Sequence, residues 1–312
     1  MIVEASNARI KPFARRSRMI ALCSVRDSDV INEHLSHIAS QELGVRCCSI
    51  NEGGSIVPGV TWCVILLEPS VSANTADRVA CIRRKHPLIP TLVIAPSPFA
   101  TSVLHAAGAD GAVCPEDIAT NVCREIVRVR AVGIRRLVCF AATQGGELRP
   151  LARRAIVAAA KAERPFRTVG ELATALGTSR STLWHAWSGG PERKGKLKDF
   201  LDWLRLTQAV AEKHSARTWF DVALQLGTHE QSLARVAIRV SGQTLHALVV
   251  CPYRLMSGPA IHRRVAWLFD HRLFDEYFSA DVAPELRSDP TYLAPRPTLP
   301  TGHFPYSAEW QS

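Results

Sequence analysis

No run of about 18 or more apolar residues occurs in the chain, so no membrane-spanning helix is expected. The residues from Met1 to Arg18 include Arg9, Lys11, Arg15, Arg16 and Arg18 but no apolar stretch leading to a cleavage site. They read as a solvated basic leader, not a signal peptide, and the expected location is the cytosol. The nine cysteines have no metal-binding spacing, and Cys47-Cys48 is a vicinal pair, not a Cys-x-x-Cys. His34, His37, His86 and His105 are scattered without a ligand pattern. A glycine-rich phosphate loop is missing too, Gly53-Gly54 being too short a signal. With no nucleophile elbow and no converging carboxylate pair, no enzyme activity, cofactor or metal is expected.

What is present is ordinary globular composition, 47% hydrophobic and 21% charged, in 312 residues, enough for two domains with separate cores. Eight of the cysteines precede position 140, several in apolar runs (Cys23, Cys63, Cys123, Cys139), as small buried hydrophobes of a reducing compartment. A redox sensor is the alternative use for them. The net charge of +10 is uneven. Residues 1–140 carry 16 Lys+Arg against 12 Asp+Glu, residues 141–254 carry 17 against 9, and residues 255–312 carry 5 against 7. The middle segment, at +8, points to a polyanion partner.

That segment holds an internal repeat at an offset of 50 residues. Thr168-Val-Gly-Glu171-Leu172-Ala173-Thr-Ala-Leu176-Gly177-Thr178 matches Thr218-Trp-Phe-Asp221-Val222-Ala223-Leu-Gln-Leu226-Gly227-Thr228, and Leu183 and Leu233 extend the match. Thr168 and Thr218 suit N-caps, with Glu171 and Asp221 placed to complete a capping arrangement. Leu172, Ala173 and Leu176, like Val222, Ala223 and Leu226, form a core-facing stripe. Gly177 and Gly227 suit the left-handed turn that ends a helix. A second short helix is expected after each turn. The first, about 179–188, puts Leu183, Ala186 and Trp187 inward and Arg180, Ser181, Trp184 and His185 outward. The second, about 229–240, puts Leu233, Val236, Ala237 and Val240 inward and leaves Glu230, Gln231, Ala234, Arg235 and Arg239 outside.

Each unit has the form of a helix-turn-helix whose second helix enters the major groove of double-stranded DNA. Between them, Leu197 to Lys213 reads as one amphipathic helix with Phe200, Leu201, Leu204 and Ala209 buried. This order, with Phe-Leu-x-x-Leu-Arg-Leu-x-x-Ala over Phe200 to Ala209, resembles the AraC/XylS DNA-binding domain over about residues 147–254. Residues 148–162 would be its first helix. The resemblance implies that the connecting helix holds two recognition helices about one DNA turn apart, in a sequence-specific transcription regulator, with RNA polymerase as a further candidate partner.

The second unit departs from the family: Gly227-Thr228 replaces Gly-Phe, and Ala237 stands where a core Phe is usual. His185 replaces an outward Arg, whereas Arg235 is retained. The candidate base-reading residues are Arg180, Ser181, Trp184 and His185 in the first unit and Glu230, Gln231, Arg235 and Arg239 in the second. Arg180 and Arg235 lead, because Arg to guanine is the commonest specific contact; contact with phosphate alone is the alternative for both. Trp184 meets either a thymine methyl or a neighbouring helix. Arg193, Lys194, Lys196 and Lys198, after a Gly-Gly-Pro turn, form either a phosphate grip or a solvated loop.

The N-terminal half alternates strand and helix patterns. Strands are expected over 19–25, 45–50, 62–67, 91–95 and 111–114, and helices over 29–41, 73–85, 99–107 and 116–130, which implies a parallel sheet covered on both faces. The fold class is therefore α/β (flavodoxin- or receiver-like) followed by an all-α tandem helix-turn-helix domain, divided as 1–18, 19–135, 147–254 and 255–312. The element order, with Gly108-Ala-Asp110-Gly111-Ala before the last strand, resembles a response-regulator receiver. The phosphorylation set is not there: Arg26-Asp27 stands at the first acidic site, Glu68 replaces the nucleophilic Asp, Ala95 or Pro96 the hydroxyl, and Cys114-Pro115 the Lys-Pro. A pseudo-receiver is expected, serving homodimer assembly or a signal other than phosphate, with Glu68 a candidate mimic of the phosphorylated acid. Residues 260–278 read as an amphipathic helix, and beyond Asp281 the chain is a proline-rich tail. The rival reading of the whole is an interaction adaptor that keeps the fold without reading DNA.

Overall fold

The computed structural model describes residues 19–24, 33, 35–37, 46–49, 61–67, 73–95, 99–144, 148–188, 196–213, 217–250, 252–256 and 261. By contacts the chain divides into residues 1–281 and 282–312, the second lying outside the described residues. The basic leader, the proline-rich tail, Arg26-Asp27 and Glu68 lie outside them as well. Of the helix expected over 29–41, Glu33 and residues 35–37 are described as helical, with Leu35 buried. Of the one expected over 260–278, Ile261 is described, helical and buried.

The N-terminal part is an α/β layer. Strands β1 (Met19–Ser24), β2 (Arg46–Ser49), β3 (Thr61–Leu67), β4 (Thr91–Ile94) and β5 (Gly111–Val113) form one sheet in the order β2-β1-β3-β4-β5. Every pairing is parallel, in the register Ala21↔Cys48, Leu22↔Ile65, Val64↔Thr91 and Leu92↔Gly111. Helices α1 (Ala73–Lys85) and α2 (Phe99–Ala106) connect β3 to β4 and β4 to β5. Parallel strands covered on both faces need continuous apolar runs. Val64-Ile-Leu-Leu67 and Leu92-Val-Ile94 supply them, all buried. One core packs Leu66 and Val93 against Val79 of α1 and Leu104 of α2.

A single helix, α3 (Ile118–Gln144), leaves this sheet and enters the all-α part. At 27 residues it is about 40 Å long. It packs on β3, β4 and β5 and also on the helices that follow. The helix expected to end at Arg130 thus runs on to Gln144, through the boundary placed at 135. Two arginines on it make the join: Arg130 donates to Met256 O through Nε (3.3 Å) and Nη2 (3.2 Å), and Arg135 to Ala162 O (3.2 Å) and to Gln208 Oε1. Burial pulls the Arg130 guanidinium down to about 10, the Cys63 thiol beside it acting the other way.

The all-α part is α4 (Pro150–Lys161), α5 (Val169–Ala175), α6 (Arg180–Ser188), α7 (Leu197–Lys213), α8 (Trp219–Gln225), α9 (Glu230–Ser241), α10 (Leu245–Val250) and α11 (Tyr253–Met256). Helix α7 spans the residues expected of the connecting helix, with Phe200, Leu201, Leu204 and Ala209 buried as expected, but its burial extends beyond that stripe. Trp203, Leu206 and Val210 are buried on the side away from the expected stripe, together with Asp202, Arg205 and Thr207. The reason is that α3 packs on it along with α4, α5, α8, α9 and α10. Among the described residues no helix is long and apolar enough to cross a membrane.

Candidate nucleic-acid interface

The 50-residue repeat is a repeat of hydrogen bonds. Leu176 N donates to Leu172 O and Leu226 N to Val222 O (3.1 and 3.0 Å). Gly177 N and Gly227 N reach Thr174 O and Leu224 O (3.0 and 2.9 Å), and Thr178 N and Thr228 N reach Ala173 O and Ala223 O (3.0 and 2.8 Å). Leu183 N–Ser179 O and Leu233 N–His229 O, both 3.0 Å, then start the second helices. Both glycines have φ +65°, a conformation that costs an L-residue about 1–2 kcal/mol. The two N-caps differ. Thr218 and Asp221 form a full capping box, whereas Thr168 Oγ1 accepts from Glu171 N while the Glu171 carboxylate accepts from Arg167 N (2.8 Å) and Arg167 Nε (2.8 Å). Burial pushes Glu171 up, but these Arg167 contacts outweigh it and hold the carboxyl below its ordinary range. The hydrogen bonds to Thr218 do the same for Asp221.

The segment before α5 also grips the turn of the second unit. Arg167 Nη1 donates to Gly227 O (2.8 Å), and a Cβ on Gly227 would lie 2.3 Å from Arg164 Nη2, whereas one on Gly177 would meet nothing. Gly177→Ala is therefore expected to cost about 1–2 kcal/mol from backbone strain alone. Gly227→Ala costs that strain plus displacement of the Arg164 guanidinium. Urea unfolding of both variants, alone and with Arg164→Ala, checks this: the excess at Gly227 should vanish when Arg164 is removed, and an excess that persists contradicts it.

Helix α6 buries Leu183, Ala186 and Trp187 and exposes Arg180, Ser181, Trp184 and His185. Trp184 is 60% exposed, with its ring edge-on to that of His185 at 5.0 Å. The Ser181 hydroxyl shares a hydrogen bond with Ser179 Oγ (2.8 Å), which itself accepts from Thr182 N and caps the helix. Helix α9 buries Leu233, Val236, Ala237 and Val240 and exposes Glu230, Gln231 and Arg235. Ala237 is fully buried, so the missing Phe leaves no gap at that residue open to solvent. Arg180 and Arg235 form no ion pair among the described residues.

Arg239 is exposed on α9 as well, and it also reaches α7. Its Nη1 is bonded to Asp199 Oδ1 and its Nη2 to Asp202 Oδ2, both on α7. Asp202 is fully buried and also receives Arg205 Nη2 (2.6 Å) and Lys198 Nζ on Oδ1. Arg239 and Lys198, 46% and 41% exposed, thus also bridge to Asp202, and Arg239 ties α9 to α7. Burial lowers the Arg205 guanidinium, with Asp202 opposing the shift. Periodicity missed this cluster because the partners lie 37 and 40 residues apart. Lys196 is exposed, and Arg193 and Lys194 lie outside the described residues.

Cys63, Cys123 and Cys139 are buried, and Cys81 and Cys114 partly so. Burial pushes the Cys139 thiol up to about 11, and burial with Glu116 and Asp117 raises Cys114, which disfavours the reactive thiolate.

The class these features define is a parallel α/β sheet joined by one continuous helix to an all-α part carrying a duplicated helix pair. No family model, no curated protein and no solved structure matches the chain.

Proposed function

We propose that the protein is a sequence-specific double-stranded-DNA-binding transcription regulator of the AraC/XylS kind, with α6 and α9 as its recognition helices in successive major grooves. The observation that carries the reading is the duplicated helix pair: the same turn closed by the same hydrogen bonds twice, 50 residues apart, with an exposed arginine on each second helix. Arg180, Trp184 and His185 form one reading face, and Gln231 and Arg235 the other. Arg or Lys to guanine and Gln to adenine are the side-chain pairings that suit a major groove. The +8 balance of residues 141–254 adds the electrostatic attraction.

The α/β sheet supports a pseudo-receiver reading. Its all-parallel order β2-β1-β3-β4-β5 is that of the flavodoxin-like doubly wound sheets, in which sites lie at the carboxyl ends of the strands. There Ala95 follows β4 and Cys114 follows β5, in the places of the hydroxyl and the lysine of phosphoryl chemistry. The module serves assembly or signal input through α3. The adaptor reading is weaker, because it gives no role to the exposed arginine on each second helix, neither of which is ion-paired among the described residues.

Fluorescence anisotropy of the full chain with a mixed-sequence duplex, and with one of its strands alone, tests the DNA reading. Duplex should bind tighter than single strand, with affinity falling steeply as salt rises. Equal binding of both, or none at low salt, would remove the reading.

A further inference from the structure

A second charged cluster lies at the opposite rim of the sheet, where β4 and β5 begin, and the proposed DNA contact makes no use of it. Asp110, just before β5, is 11% exposed and accepts from Thr91 N on Oδ2 (2.9 Å). Three arginines converge on it from two helices. Arg136 Nη2 of α3 lies 2.8 Å from Asp110 Oδ2, Arg83 Nη1 of α1 lies 3.6 Å from the same oxygen, and Arg128 Nη2 of α3 donates to Asp110 O (2.7 Å). Glu125 is taken up by Arg128 Nε (2.7 Å) and Arg124 (3.7 Å). The carboxylates present thus leave the cluster positively charged.

The donors are more telling than the charge. Arg83 Nη1 and the Nε, Nη1 and Nη2 of Arg136 are buried and have no hydrogen-bond partner, the 2.8 Å contact to Asp110 being misaligned. Buried guanidinium donors without acceptors are costly and call for an occupant such as an ion. The occupant must bring several acceptor oxygens and negative charge to these guanidinium donors. A tetrahedral oxyanion does so, since arginine forks match its oxygens two at a time. Access is from the side of Arg83 and Arg128, whose side chains are 30% and 43% exposed. Two glycines let the arginines lie close to the backbone: Gly108, at φ +102°, packs against Arg83, and a Cβ on Gly111 would lie 2.8 Å from Arg128 Nη2.

We propose that Arg83, Arg128 and Arg136 form a binding site for a small phosphate-class oxyanion at the amino-terminal rim of the sheet, with Asp110 as the internal counter-ion that the ligand competes against. The site is unrelated to receiver phosphorylation, which belongs to the other rim. It adjoins α3 next to Arg135, where that helix bonds Ala162 and Gln208, so ligand binding acts on the element shared by sheet and helices.

Titration calorimetry and thermal unfolding of the full chain with inorganic phosphate, against chloride at matched ionic strength, test the proposal. A saturable one-to-one response is expected in phosphate only. Arg83→Gln, at a partly exposed position, should weaken it roughly tenfold or more. Asp110→Asn keeps the oxygen that accepts from Thr91 N but removes the competing charge, and should tighten binding roughly tenfold. A merely structural Asp110 gives lower stability with no gain in phosphate affinity. Absence of a saturable wild-type response, or the same response in wild type and Arg83→Gln, overturns the proposal, whether or not Asp110→Asn folds.

Discussion

Asp202→Ala should lower the stability of the all-α part by roughly 3–5 kcal/mol, the largest effect expected of any single charged residue here. The carboxylate is fully buried and receives Lys198, Arg205 and Arg239. Of these, Arg205 has only 6% of its side chain exposed, so removing Asp202 strands an interior cation. The other two are 41% and 46% exposed and can turn to water, which is why their loss adds little. Arg239→Ala should accordingly cost far less than Asp202→Ala, and Asp202→Asn should fall between them because it keeps acceptor oxygens. Urea unfolding of the three variants ranks them. Equal losses for Arg239→Ala and Asp202→Ala would place the cost in the link between α9 and α7 instead of the stranded Arg205.

On the DNA-binding reading, Arg180→Ala and Arg235→Ala should each remove about 1–3 kcal/mol of discrimination between a specific duplex and a scrambled one. Both side chains are exposed and neither supports the core, so unfolding midpoints should not move. The sign of a base-reading role is a selective loss. Affinity for scrambled duplex should drop only as far as one lost cation predicts, with the salt slope shallower by about 1. Anisotropy on both duplexes separates the cases. Equal losses on the two would mean that the arginines touch phosphate alone.

These two predictions sit on opposite sides of what the sequence made readable. The outward arginines follow from helical period: Leu183, Ala186, Trp187 and Leu233, Val236, Ala237, Val240 are buried, which leaves Arg180 and Arg235 outside. The strands follow from short apolar runs between turn residues and stand within two residues of where they were expected. The burial of the Asp202 cluster does not follow: Lys198 and Arg205 at helical spacing read as surface pairs of Asp202, and Arg239 joins from 37 residues away. Helix α3 is the other case. Gly133 sits in its interior, a residue that costs about 1 kcal/mol in an exposed helix. The helix continues because that glycine lets the backbone close on Pro90, whose Cδ would be 2.9 Å from any added Cβ. Long-range packing supplied the reason, and local pattern contains no trace of it. Arg83, Arg128 and Arg136 likewise come together only through the sheet.

The most direct measurement is to incubate the purified chain with fragmented genomic DNA from its source and sequence what it retains, beside the Arg180→Ala/Arg235→Ala double variant. The account predicts one shared motif with two conserved blocks about 10–10.5 base pairs apart, centre to centre, recovered by the wild type and lost in the variant. Retention without any motif, abolished at moderate salt, or the same motif recovered by the variant, would contradict it.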